Sequence, residues 1–161
     1  MRRLQRYLAL DWGERRIGLA ISDPTGTIAS PAGHILRRAG KRPPVAEVMR
    51  RAAALEARGF VAGLPLDEAG DETDRSREVR AVSAALQQRT GLPVILVDER
   101  YTTAIALRAV RELGGTTKDR AGDIDSLAAT VLLQHALRLA EQENPDHGTG
   151  EAQPLDDDDA H

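Results

Sequence analysis

The chain has 161 residues, 41% of them apolar, with four aromatics and no cysteine. That length suits one domain with an aliphatic core, and the lack of thiols excludes disulfides, thiolate zinc sites and a cysteine nucleophile. The net charge of -3 hides a split: Glu141 to His161 carries 8 acids and no Lys or Arg, whereas Met1 to Ala140 carries 22 basic and 17 acidic residues.

A basic body favours a polyanionic partner. The acidic end, containing Pro and Gly, is expected to be disordered. The expected organisation is therefore a domain over 1–140 and a tail over 141–161. Asp11 interrupts the first apolar run too early for a signal peptide, and no window is apolar enough to span a bilayer, so no membrane association and a cytoplasmic location are expected.

In chain order, "YLALDWG" reads as a short strand, "RIGLAISDP" as a second and "GTIASPAGHILR" as a third. The Asp-Pro-Thr-Gly between the last two argues for an antiparallel meander. "RPPVAEVMRRAAALEARG" reads as a helix with prolines at its start and Gly59 as its stop. "FVAGLPL" is a buried strand. "DETDRSREVRAVSAALQQRTG" is a helix with Val79, Val82 and Leu86 on one stripe. "PVILVDER" is a further apolar strand, "TTAIALRAVRELGG" a helix, and "DIDSLAATVLLQHALRLAEQ" the long last helix. Strands joined by crossover helices run parallel. The predicted architecture is an α/β mixed sheet of five strands, antiparallel on one side and parallel on the other, flanked by helices.

Three acidic positions fall at the ends of these elements. Asp11 follows Leu10 at the end of the first strand and shares a face with Ala9, Glu99 closes the last strand, and Asp125 opens the last helix. A carboxylate on a sheet face is costly to bury without a metal or hydrogen bonds, and ligands gather at the carboxyl ends of parallel strands. Each acid also has a plainer role. Asp123 or Asp125 would serve as a helix N-cap, and Glu99 as a solvated strand end paired with Arg100. Together, three acids without a His or Cys ligand describe an oxygen-only site suited to Mg²⁺ or Mn²⁺. Two such ions can clamp the attacking and leaving oxygens of a phosphodiester. The four histidines lack a Ser or Cys partner at a strand-to-helix turn, and no P-loop pattern is present.

"LALDWGERRIGLAISD", "VAGLPLDEAGDE", "VILVDERYTTAIA" and "KDRAGDIDSLAATVLLQ" resemble the four blocks of the YqgF or RuvX family of Holliday-junction resolvases and pre-16S ribosomal RNA nucleases. They occur in family order and cover nearly all of the chain before the tail. The resemblance implies a ribonuclease H-like fold and a divalent-metal nuclease. It implies that Asp11, Glu99 and Asp125 are the catalytic and metal-holding acids, with two ions bound together with substrate. Arg15, Arg16, Arg100 and Lys118 match basic positions that would hold phosphates. Asp67 departs from the Asn common after Gly-Leu-Pro-Leu, and Asp123 adds an acid two positions before Asp125; only one of that pair can face the cluster.

The expected partner is branched DNA or precursor rRNA. A two-fold symmetric four-way junction would call for a homodimer, whereas trimming an rRNA precursor needs one active site. The competing function is a ribonuclease H-like module that binds nucleic acid without cutting it; retention of all three acids argues against it.

Overall fold

The computed structural model describes residues 3–38, 40–102 and 118–143, the stretch 118–125 as backbone alone. Five strands form one sheet: β1 (Tyr7–Trp12), β2 (Arg16–Ser22), β3 (Ala29–Leu36), β4 (Gly59–Leu64) and β5 (Val94–Asp98). Their order is β3-β2-β1-β4-β5. β1, β2 and β3 pair antiparallel, and β4 and β5 add in parallel on the other side of β1. This is the predicted mixed sheet. The carboxyl ends of β1, β3, β4 and β5 consequently share one edge.

Alternation along β1 divides the core. Leu8, Leu10 and Trp12 point to the face that also buries Phe60, Ala62 and Leu64 of β4, packed on α1 (Val45–Ala54) and α2 (Asp74–Thr90). Ala9, Ala20 and Val61 point the other way, onto α3 (Lys118–Glu143). The α3 face is lined with small side chains, Ala129, Ala136 and Ala140 against Ala9 and Ala20. Small residues let a helix axis approach a sheet closely while Leu132 and Leu133 fill the gaps.

Local chemistry explains the element ends. Thr73 and Ser76 form a reciprocal capping box at the start of α2, and Gly91, at φ 72°, ends it in the left-handed conformation. α1 starts after the proline pair but stops earlier than its sequence pattern suggests. Glu56 takes a φ of 54°, and the Ala57 N–H bonds back to Ala52 O at 2.9 Å. Gly59 thus does not stop the helix. It opens β4, where the absence of a side chain makes room for the Tyr7 ring.

α3 begins at Lys118, so Asp123 and Asp125 lie inside the helix, and the N-cap reading of either is overturned. α3 also runs through Glu143, and the remainder of the expected tail lies outside the described residues. So does most of the helix expected over "TTAIALRAVRELGG". No helix among the described residues is long and apolar enough to cross a membrane.

Candidate active site

Asp11 is the fifth residue of β1 and lies opposite Gly18 of β2. On its other side, the pairs Leu10↔Ala62 and Gly63↔Val97 set β4 between β1 and β5. Asp11 therefore follows Leu10 as Gly63 follows Ala62, and both turn toward α3. Asp11 is 1% exposed.

Glu99 reaches the same place from β5. The strand ends at Asp98, and Glu99–Tyr101 form a single 3-10 turn. The Asp98 carboxylate caps this turn, accepting from the Arg100 backbone N–H at 3.0 Å. It also grips the Arg100 guanidinium, at 2.9 Å from Nε and 2.7 Å from Nη2. That guanidinium holds the Asp98 carboxyl below the usual carboxylate range, with the backbone N–H adding to the effect. Arg100 thus pairs with Asp98, leaving Glu99 to point inward; at 2% exposure Glu99 is no solvated strand end. A Cβ at Gly63 would stand 2.7 Å from Glu99 Oε2 and 2.9 Å from Leu132 Cδ2. The room that the missing side chain leaves is occupied by the Glu99 carboxylate.

α3 closes the face. The Ser126 hydroxyl donates to the Leu19 carbonyl at 2.9 Å within the core, and Leu19 pairs with Leu10. Asp125 precedes Ser126 in α3; its side chain, like that of Lys118, lies outside the described atoms. Among the described residues no group of three or more His, Cys, Asp or Glu is close enough to hold a metal.

Behind Asp11, on the opposite face, Trp12 is held by two partners that the sequence pattern did not single out. Its indole N–H donates to Glu78 of α2, and the Arg37 guanidinium lies 5.1 Å over its ring. Arg37 also pairs with Glu78 at 2.9 Å and donates to the Gly13 carbonyl at 2.8 Å. This clamp fixes the strand end that carries Asp11. The only signal for it in the chain was the single tryptophan beside the first acid. Of the expected phosphate-binding residues, Arg15 is exposed on the β1–β2 turn and Arg16 is half-buried at the start of β2.

Two buried carboxylates at the ends of β1 and β5, the strands that flank β4, form a costly arrangement of the kind kept at functional sites. The donor set is oxygen alone, which fits a hard divalent cation. The sheet order, with one helix covering the face that buries these acids, is that of the ribonuclease H-like class.

The comparisons agree. The family model described as "RuvX: Holliday junction resolvase" matches residues 5–139, so the chain belongs to the RuvX family. A protein of Koribacter versatilis named "Putative pre-16S rRNA nuclease" is 39% identical over 142 residues, covering 87% of this chain and 92% of that protein. An Anaplasma marginale protein of the same name is 40% identical over 139 residues, covering 84% and 86%. In fold the chain is similar to T. thermophilus RuvC in complex with a Holliday junction substrate. The TM-score is 0.53 at 13% identity, covering 86% of this chain and 96% of that one.

Proposed function

We propose that this protein is a divalent-metal-dependent endonuclease that hydrolyses phosphodiester bonds in structured nucleic acid. The substrates are four-way junction DNA, the 5′ side of precursor 16S rRNA, or both. The observation that carries this reading is the burial of Asp11 and Glu99 together on the α3 face, on either side of Gly63. In this proposal Asp11, Glu99 and Asp125 hold Mg²⁺ or Mn²⁺. When bound, the ions offset the charge of the acids and stabilise the attacking and leaving oxygens of the phosphodiester.

The chain's own residues do the rest. The clamp on Trp12 orients Asp11. Asp98, by holding Arg100, orients Glu99. Exposed Arg15, with Arg16, Arg100 and Lys118, takes substrate phosphates. On a four-way junction two copies act together, since two symmetric cuts need two active sites.

The names of the relatives, a nuclease of pre-16S rRNA and a resolvase family, support this class of substrate. The test is a side-by-side cleavage assay on junction DNA, duplex DNA, single-stranded RNA and precursor rRNA, with Mg²⁺ or Mn²⁺. Wild type cuts at least one structured substrate, while Asp11→Asn and Glu99→Gln do not. Cleavage at full rate in excess EDTA would overturn the proposal.

A further inference from the structure

The acids occupy one end of a longer charged edge. β3 ends on the same edge as β1, and the segment that follows it, "RRAGKR" from Arg37 to Arg42, has four basic residues in six and no acid. Arg37 is consumed by the clamp on Trp12 and Glu78. Arg38, Lys41 and Arg42 are exposed, and none forms an ion pair within 4.0 Å among the described residues. By contrast Arg50, Arg51, Arg75, Arg77 and Arg80 are each matched to a carboxylate.

Its described residues are tied to their surroundings. The Arg37 N–H donates to Arg15 O at 2.7 Å, tying it to the β1–β2 turn, and the Lys41 N–H donates to Arg38 O at 3.2 Å. Gly40 takes a φ of 70°, as the turn requires. Pro43 and Pro44 fix its far end before α1. Three exposed cations within five residues, with no acid among them, give a positive local potential that favours a polyanion.

We infer that Arg38, Lys41 and Arg42, continuing the line of Arg15 and Arg16, form a phosphate-docking ridge. It would seat the arm of nucleic acid that leaves the acid pair on the β3 side. This rests on the proposed nuclease reading and extends it to where the substrate lies. β3 is two strand spacings from β1, about 10 Å. A nucleic-acid strand rises about 3.4 Å per nucleotide, so the ridge meets the backbone about three nucleotides from the cut. Its contacts are to phosphate and carry no sequence preference.

The experiment measures binding apart from cleavage. Full-length protein in EDTA is titrated against labelled junction and duplex DNA across a range of salt, and anisotropy gives Kd. Arg38→Ala/Lys41→Ala/Arg42→Ala is compared with Arg58→Ala/Arg89→Ala, whose exposed side chains lie before β4 and β5 at the opposite edge. The ridge variant binds about tenfold or more weakly at low salt, and its slope of log affinity on log salt is shallower by about 2 to 3. The control pair matches wild type.

A charge-conserving Arg38→Lys/Arg42→Lys protein keeps the slope, which separates lost charge from lost fold. An unchanged slope in the ridge variant, or an equal loss in the control pair, overturns the ridge. Failure of the nuclease reading gives a different pattern: no metal-dependent cleavage by wild type, with the binding difference intact.

Discussion

Gly63 and Glu99 are so close that a methyl carbon on Gly63 would lie 2.7 Å from the Glu99 Oε2, and 2.9 Å from Leu132 Cδ2, so one of these side chains must move for any larger residue. The glycine is needed for closeness, since its backbone has no left-handed φ.

Gly63→Ala should therefore act on chemistry more than on fold. Overpacking of this kind costs about 1–3 kcal/mol, and the carboxylate is the group free to shift. The expected result is a folded protein with modestly lowered Tm and a cleavage rate about tenfold or more below that of Ala62→Gly. Thermal melts and single-turnover cleavage on one sample check both halves.

Asp11→Asn should abolish the response to metal as well as cleavage. A ligand that binds only the folded state raises Tm by mass action. Saturating Mn²⁺ or Mg²⁺ should raise the melting temperature of wild type and leave that of Asp11→Asn unmoved. Loss of activity should exceed the roughly 10–100-fold typical when an outer-shell partner is removed. An equal metal-induced rise in both proteins would remove Asp11 from the binding site.

Glu78→Ala should loosen the clamp behind the site. It leaves the buried Trp12 N–H without its acceptor, a loss of about 1–3 kcal/mol. Trp12 is the chain's single tryptophan, so its fluorescence reports the change directly as a shift to longer wavelength. Urea melts followed at that wavelength give the stability.

Asp23 sets an acid limit on stability. Its carboxylate accepts from the N–H groups of Ile28 at 2.9 Å and Thr27 at 2.8 Å, and from the Thr25 hydroxyl and N–H. The Ile28 N–H and the Thr25 hydroxyl hold its pKa well below the usual carboxylate range. A depressed folded pKa favours the folded state above the unfolded value of about 3.9, and that advantage fades as pH falls below it. Asp23→Asn should be less stable than wild type at neutral pH, and the gap should narrow below pH of about 4. Melts between these conditions test it.

Much of this was legible in the chain. Alternation in "LALDWG" placed Asp11 on the Ala9 face, and strands joined by helices placed β4 and β5 parallel to β1. Only one strand separates the two acid-bearing ones. The start of α3 was not legible, because Gly122 and two aspartates mimic a helix beginning, yet the helix passes through them from Lys118.

The plainer alternative for Glu99, a pair with Arg100, gives way to Asp98. A 3-10 turn after β5 swings the carboxylate of Asp98, not that of Glu99, back to Arg100. The bond from Trp12 to Glu78 joins residues 66 apart in sequence. Pairings at such separation arise from tertiary packing and leave no local period to detect.

The Ser126 bond to Leu19 has a consequence for synthesis. Helix α3 is the last described element to leave the ribosome, and without it Ala9, Ala20, Val61 and the acid row face water. A nascent chain halted before Ser126 would carry wet, loosely held carboxylates. On the proposed function, cutting would begin only once α3 has docked, late in translation.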